Sequence, residues 1–283
     1  MRKTGKNSDN KMGSLYLVAT PIGNLDDITY RAVEVLNKVS IIAAEDTRKS
    51  RILINRYDIN TPMTSYHKFN EKESAEALLG KLLKGMDVAV ISDAGTPGIS
   101  DPAYEIVRKC LELEVVIIPV PGASAVIAAL AASGLESDTF SFYGFFPKKK
   151  NKIIKLLNTL KFRQETLIFY ESPQRILDSL QIIKDIFGNR KIVVAKEITK
   201  MYENFLRGTI DNVMEMLNEG NLKGEFVLLL SGAKKPKEMG DESVKGLLKD
   251  KIGKGMTKKT AVEMIAETYN LPKNRVYKLS LEI

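Results

Sequence analysis

VAVISDAGTPGISDPAYEIVRKCLELEVVIIPVPGASAV, residues 88–126, decides the fold. It opens on the apolar run VAVIS (88–92) and breaks into the glycine- and proline-rich DAGTPGIS. An amphipathic stretch follows, DPAYEIVRKCLELE, then a second apolar run, VVIIPV (115–120), and a second small-residue loop, PGASAV. Short β-branched runs bounded by turn residues read as strands, and the spacing between them as a helix. Asp101-Pro102 reads as an N-cap followed by proline at the first helical position. The unit is therefore strand–loop–helix–strand–loop.

The same unit extends towards the N-terminus. SLYLVA (14–19) and SIIAA (40–44) are further strands, and TYRAVEVLNKV and NEKESAEALLGKLLKG have helical spacing. This βαβα alternation predicts a mostly parallel sheet with right-handed crossovers. The character changes at GLESDTFSFYGFFPKKK (134–150), which is aromatic and ends in a basic cluster. Beyond it ETLIFYES (165–172), KIVVAKEI (191–198) and KGEFVLLLSG (223–232) are strands again, with a hairpin expected around KEITKMYENFLRGTI. GAKKPKEMGDES (232–243) reads as a linker. TKKTAVEMIAETYN and PKNRVYKLSLEI read as two short helices joined at Leu271-Pro272, a helix-turn-helix-like pair. The expected organisation is a polar leader at 1–13, an α/β domain at 14–136, a second α/β domain at 137–232, and a linker with a basic helical module at 233–283.

The chain has 283 residues and a formal net charge of +8, unevenly placed. Residues 233–283 hold 12 Lys or Arg against 7 Asp or Glu; the other 232 residues hold 31 against 28. A basic appendage on a near-neutral body suits either a polyanionic partner or a solvated tail. With one cysteine, Cys110, no internal disulfide exists and a reducing, cytoplasmic setting fits. Cys110 lies in a helical stretch and reads as a small core residue. No apolar run reaches the ~18 residues of a membrane span.

Ligands of open α/β sheets bind beyond the carboxyl ends of the strands. Four strand ends here carry TPIGNLDD, EDTRKS, DAGTPGISDP and PGASAV, where ordinary loops would do. Neither GxGxxG after the first strand nor GxxxxGK[ST] is present, and one His with one Cys leaves no zinc cluster, so no metal is expected.

VATPIGNLDDIT, IIAAEDTR, ISDAGTPGISDP, VPGASAVIAAL, GFFPKK, IFYESPQRI and KEITKMYE, in that order, resemble the tetrapyrrole-methylase superfamily, and within it the branch that methylates a cytidine 2′-oxygen of 16S rRNA. The resemblance runs from residue 14 through the C-terminal module. It implies two α/β domains of tetrapyrrole-methylase type with an S-adenosylmethionine cleft between them, an rRNA or small-subunit substrate in the decoding region, and a homodimer. It also implies site residues. Ser92, Asp93, Ala94 and Gly95 match the loop along the methionine end of the cofactor; Pro21 and Gly23 match the first-strand loop; Ser124 and Ala125 match the next contact; Tyr170 and Leu206 match the second domain's share.

Transfer to a ribose hydroxyl calls for a group that takes its proton. Glu45 or Asp46 is a candidate base and Arg48 a phosphate or acid partner; the alternative is an N-cap at Asp46 with Glu45 and Arg48 in ion pairs. His67 stands where the family shows His-x-His-Asn-Glu, but Phe69 replaces the second His, so base, RNA contact and structural residue all stay open for His67. Lys196 and Lys200 match a charged family stretch read as substrate-binding, with a surface ion-pair network as the alternative. Lys258, Lys259, Lys273 and Arg275 flank the two terminal helices and are candidate phosphate contacts. Two rival functions remain at this point: methylation of a tetrapyrrole carbon, and RNA binding without catalysis.

Overall fold

The computed structural model describes residues 12–220, 222–233, 239–269 and 271–283. Residues 1–11 of the expected leader and 234–238 of the expected linker lie outside them. The N-terminal half runs β1 (Leu15–Val18), α1 (Tyr30–Lys38), β2 (Ile41–Ala44), α2 (Thr47–Arg56), β3 (Met63–Ser65), α3 (Glu71–Leu82), β4 (Val88–Ile91), α4 (Tyr104–Glu112), β5 (Ile117–Val120) and α5 (Ala125–Ser133). Its five strands form one sheet in the order β3-β2-β4-β1-β5, every pair parallel. Successive residues of β4 face opposite layers. Val88 and Val90 pack with Leu78 and Leu82 of α3 and Ile106 and Cys110 of α4; Ala89 and Ile91 pack with Leu36 of α1 and Ile54 of α2. Burial on both faces is why these strands read as unbroken apolar runs rather than alternating ones. Cys110 is fully buried, and burial pushes its thiol up to about 11, which fits the core reading.

The second half contains β6 (Phe140–Phe145), α6 (Lys150–Leu160), β7 (Thr166–Glu171), α7 (Ile176–Phe187), β8 (Lys191–Lys196), β9 (Asn204–Thr209), α8 (Ile210–Glu219) and β10 (Phe226–Leu230). This sheet is ordered β6-β7-β10-β8-β9 and is mixed: β6 runs parallel to β7, while β10 is antiparallel to β7 and β8. The expected hairpin is present as antiparallel β8 and β9. Leu167, Phe169, Ile192, Val194, Phe226 and Leu228 pack against α6, α7 and α8. The opposite face, Ile168, Val193, Ala195, Val227 and Leu229, packs against Val126, Ala129 and Leu130 of α5 and against Ile22.

Helix α5 thus joins the halves. Its sequence, AVIAALAAS, has no polar stripe; Val126, Ala129, Leu130 and Ser133 are buried, while Ile127, Ala131 and Ala132 are exposed. Arg207 of β9 donates to the carbonyls of Ala132 (2.6 Å) and Ser133 (3.4 Å), satisfying the last turn of α5 from the second sheet.

Among the described residues the C-terminal module has three helices rather than the two read from sequence: α9 (Asp241–Gly253), α10 (Lys258–Thr268) and α11 (Lys273–Ser280). The polar start of α9 reads as linker, but Asp241 and Glu242 sit in its first turn, where acids suit the helix dipole, and Val244 and Leu248 are buried. They pack with Ala261, Val262, Ile265, Val276 and Leu279 in a small core of the module's own.

Candidate functional site

The loops after β1, β2, β4 and β5 converge at one edge of the first sheet and face β7 and β10 of the second. Between them lies a cavity of about 390 Å³. Its first wall is Asp93, Ala94, Gly95 and Thr96 with Ser124 and Ala125. The second half contributes Phe145, Tyr170, Glu171, Gly224, Glu225 and Phe226. Glu45, Lys49 and Asp101 complete the polar lining, and Ile22, Ile99 and Ile198 the apolar one.

Backbone geometry shapes the first wall. Thr20 and Gly95 exchange both main-chain hydrogen bonds, 2.9 and 3.0 Å, tying the first loop to the third. Gly95 has φ +78°, which a side chain adopts only with strain. Ser92 is buried, and its hydroxyl donates to the Ala94 carbonyl at 3.3 Å. Gly224, on the facing wall, has φ +103°, and a Cβ there would stand 2.4 Å from the Glu197 carboxyl.

The acidic groups have distinct roles. The Asp93 carboxylate accepts from the Asp46 amide (3.0 Å) and from Lys49 Nζ (2.7 Å), and the Asp93 amide donates to Glu45 Oε2 (3.4 Å). Lys49 is held above its ordinary range by that hydrogen bond. Asp46 caps α2, accepting from the Arg48 amide at 2.9 Å, and binds the Arg48 guanidinium through both oxygens. Arg48 holds the Asp46 carboxyl down at about 2, and Asp46 does not line the cavity. For Asp46 and Arg48 the structure therefore favours the cap and ion pair.

Asp101 is a lining residue that its sequence context assigns elsewhere. It does not cap α4, which starts at Tyr104 with Ala103 as N-cap. Proline disfavours helical backbone in the residue before it, so Asp101 stays outside the helix and lines the cavity instead. Burial, then the Glu45 and Asp93 charges, push its carboxyl up to about 6, with the Ser92 hydroxyl acting in the opposite sense.

Across the cavity, Tyr170 is flanked edge-on by Phe142 and Phe145, with ring centroids at 4.9 and 5.3 Å. Burial first, and then the Asp101 and Glu225 charges, push its phenol up to about 12, so it stays a neutral donor. Glu171 is fully buried but satisfied by the Ser172 amide, the Ser179 hydroxyl and Arg175.

Several expected residues fall outside the lining. Pro21 is buried just behind Ile22, and Gly23 packs where a Cβ would meet Lys200 and Thr199 at 2.6 and 2.8 Å. Leu206 packs into the core on the far face of the second sheet. Lys196 ends β8, and Lys200 pairs with Glu197 (2.9 Å) and Glu225 (3.0 Å), the ion-pair alternative. His67 follows β3, outside the lining; its amide donates to Asn70 Oδ1 at 2.7 Å and its ring meets the 95% exposed Phe69 edge-on at 6.1 Å. In the module, Lys273 pairs with Glu263, and Arg275 binds Asp241 and the Met239 carbonyl. Lys258 and Lys259 are exposed at the start of α10.

Comparison with known proteins agrees with this architecture. Ribosomal RNA small subunit methyltransferase I of Bacillus subtilis (strain 168) is 43% identical over 282 residues, covering 98% of this chain and 97% of that protein. The protein of the same name from Synechocystis sp. is 45% identical over 276 residues, covering 96% and 99%. The solved uroporphyrin-III C-methyl transferase of Thermus thermophilus, complexed with S-adenosylhomocysteine, superposes with a TM-score of 0.57 at 16% identity, over 77% of this chain and 97% of that one. The profile of the tetrapyrrole (corrin/porphyrin) methylases matches residues 14–214, a span that takes in the whole first sheet, every strand of the second but β10, and every cavity loop but the last. The chain belongs to the tetrapyrrole methylase family.

Proposed function

We propose that this protein transfers the methyl group of S-adenosylmethionine to the 2′-hydroxyl of a cytidine in 16S rRNA of the small ribosomal subunit. The observation that carries the reading is the cavity itself, walled by both sheets and lined with carboxylates from both halves. A volume of about 390 Å³ suits a ligand of nucleoside-plus-amino-acid size. The glycine backbones at 95 and 224 leave close-approach surfaces on opposite walls. Glu45, Asp93 and Asp101 offer negative charge to a cationic sulfur centre. Curated relatives more than 40% identical over nearly the whole chain carry a small-subunit rRNA methyltransferase name, which favours RNA over a tetrapyrrole. The nucleotide and the 2′-oxygen rest on the resemblance.

S-adenosylmethionine, when bound, supplies an electrophilic methyl carbon on a positively charged sulfur. The protein's own part is to hold that ligand by the Asp93–Gly95 backbone and the Ser124 hydroxyl, to shield it with Ile22, Ile198 and Phe226, and to present a carboxylate to the incoming hydroxyl. Glu45 fixes the Asp93 loop, and the Asp46–Arg48 pair fixes the start of α2 beneath it. Lys258 and Lys259 are the proposed phosphate contacts of the module, in a cytoplasmic enzyme that acts as a homodimer. Mass spectrometry of 16S rRNA from cells with and without the protein tests the reading. One cytidine should lose a 2′-O-methyl group, and unchanged rRNA alongside an altered tetrapyrrole would reverse it.

A further inference from the structure

We propose that the turn at 145–152 is the dock for the substrate strand, with Lys148, Lys149, Lys150 and Lys152 holding RNA phosphates beside the nucleotide that enters the cavity. The inference rests on the reading of the protein as an rRNA methyltransferase and names the surface of that same site that takes the polyanion.

Residues 139–164 hold seven Lys or Arg and no Asp or Glu. The remainder of residues 1–232 holds 24 basic against 28 acidic. The excess positive charge of the body therefore comes from this one stretch. Five of its seven cations, Lys148, Lys149, Lys150, Lys152 and Lys155, fall within eight residues. All five are exposed, and among the described residues none of their ammonium groups makes a hydrogen bond or ion pair.

The placement works against the fold. Lys149 is the N-cap of α6 and makes no side-chain cap, Lys150 and Lys152 lie in the first turn, and no acid is there. Cations at that end oppose the helix dipole. What holds α6 is its other face, where Ile153, Leu157 and Leu160 are buried against the second sheet. Charges that cost a helix stability and find no partner within the fold mark a site that serves a partner outside it.

The turn sits at the cavity mouth. Phe145 ends β6, lines the cavity and is 60% exposed. Lys148 follows three residues later, so its Cα lies within about 11 Å of that of Phe145. Arg175 fixes the turn: it donates to the Phe146 and Pro147 carbonyls, 3.1 Å each, and pairs with Glu171 at 3.0 Å. Glu171 is itself a lining residue, so one guanidinium ties the lysine turn to the cavity wall.

The cavity calls for such a rim. Its lining carries Glu45, Asp93, Asp101, Glu171 and Glu225 against a single cation, Lys49. A field of that sign suits a positively charged sulfur and repels phosphates. Lysines at the edge offset the repulsion where the strand crosses. An exposed aromatic ring beside a run of cations is also the pattern on which single strands are held. The ammonium groups read no bases; they set where the backbone lies, and so which ribose reaches the methyl group.

The test uses the full-length chain, with 16S rRNA transcribed in vitro and isolated small subunits as probes. Filter-binding of the rRNA is measured across salt concentrations for Lys148→Gln, Lys149→Gln, Lys150→Gln and Lys152→Gln, singly and combined. The log–log slope should fall by roughly 0.7 for each lysine neutralised. In the combined variant KM for rRNA should rise about 10-fold or more, with S-adenosylmethionine affinity by calorimetry within about 3-fold of wild type. Lys148→Arg, Lys149→Arg, Lys150→Arg and Lys152→Arg together should keep the wild-type slope. Lys161→Gln, about 16 Å away at the other end of α6, should leave it unchanged. The melting temperature of the combined glutamine variant should hold or rise, because the lysines oppose the dipole. An unchanged slope with a lowered melting temperature would make the lysines structural and overturn the dock. A slope that falls as far in Lys161→Gln would reduce the effect to net charge and overturn it as well. So would activity lost on small subunits with the slope on free rRNA intact, which would assign the lysines to a subunit protein. Wild-type protein that methylates neither probe would overturn the underlying reading instead.

Discussion

Asp46 accepts three hydrogen bonds from Arg48: one from its amide at 2.9 Å and two from its guanidinium at 3.1 and 2.9 Å. An acid so engaged holds the start of a helix; it does not collect protons. Asp46→Asn should therefore lower the melting temperature by a few degrees while leaving methylation within about 10-fold of wild type. The pH dependence has a defined sign. The folded carboxyl titrates at about 2, below its ordinary 3.8, so its contribution is present above about pH 4 and is lost as pH falls towards 2. The gap in melting temperature between wild type and Asp46→Asn should close over that window in a calorimetric pH series.

The two cavity glycines should be separable by what they disturb. Gly95→Val places a β-branched residue at φ +78°, with Ile22 Cγ2 already 3.5 Å from the new Cβ. Left-handed backbone costs roughly 1–2 kcal/mol per residue for an ordinary side chain. S-adenosylmethionine binding should be lost in a protein that remains folded by circular dichroism. Gly224→Ala drives a Cβ against the Glu197 carboxyl, which also accepts from the Glu225 amide and Lys200. Affinity measured by calorimetry should fall about 10-fold, with a smaller loss of stability.

Asp101→Asn should make the protein more heat-stable at pH 7–8. A carboxyl raised from 3.8 to about 6 opposes folding once pH exceeds its unfolded value, and the penalty is complete above the folded one. Differential scanning calorimetry at pH 5 and pH 8 should show the variant's advantage growing with pH. An enzyme that becomes more stable when an active-site charge is neutralised shows the usual conflict between stability and function.

In the C-terminal module the lysines divide into two groups. Lys258→Ala with Lys259→Ala should weaken RNA binding and reduce the log–log salt slope by roughly 0.7 for each phosphate left unneutralised. Lys273→Ala should leave the slope unchanged, because Lys273 pairs with Glu263 at 2.8 Å. Arg275→Ala should instead destabilise the module, since Arg275 joins α11 to Asp241 and the Met239 carbonyl. Filter-binding at several salt concentrations and thermal melts distinguish the three.

The parallel sheet is legible in the sequence because both its faces are buried, and strands such as VAVI and IIAA leave nothing else to read. β3 is not, since MTS is three half-buried residues with no apolar run. β6 has the look of a domain boundary, its FSFYGF carrying aromatic rings that pack on Tyr170 and Phe169 rather than a β-branched pattern. The small-residue loops at 93–95 and 124–125 can be placed at strand ends from sequence alone, and the structure sets them on one wall. Asp101 cannot, because Asp-Pro before an amphipathic run has the form of a helix start. Only the left-handed turn at Ser100 shows otherwise. The N-cap at Asp46 with Arg48 in an ion pair is one of two alternatives the sequence offers, and only the structure chooses between them.

The cavity draws its walls from chain positions between Ile22 and Val227, and the last of them lie on β10, wedged between β7 and β8. During synthesis the first sheet can be complete while β10 is still unmade, and until that strand inserts, the face of α5 that β10 covers has no partner. A nascent or truncated chain ending before residue 226 should therefore expose an apolar helix and bind no ligand, however well its first sheet has formed. Ligand affinity then serves as a report on folding, switching on only when the last strand of the second sheet has closed.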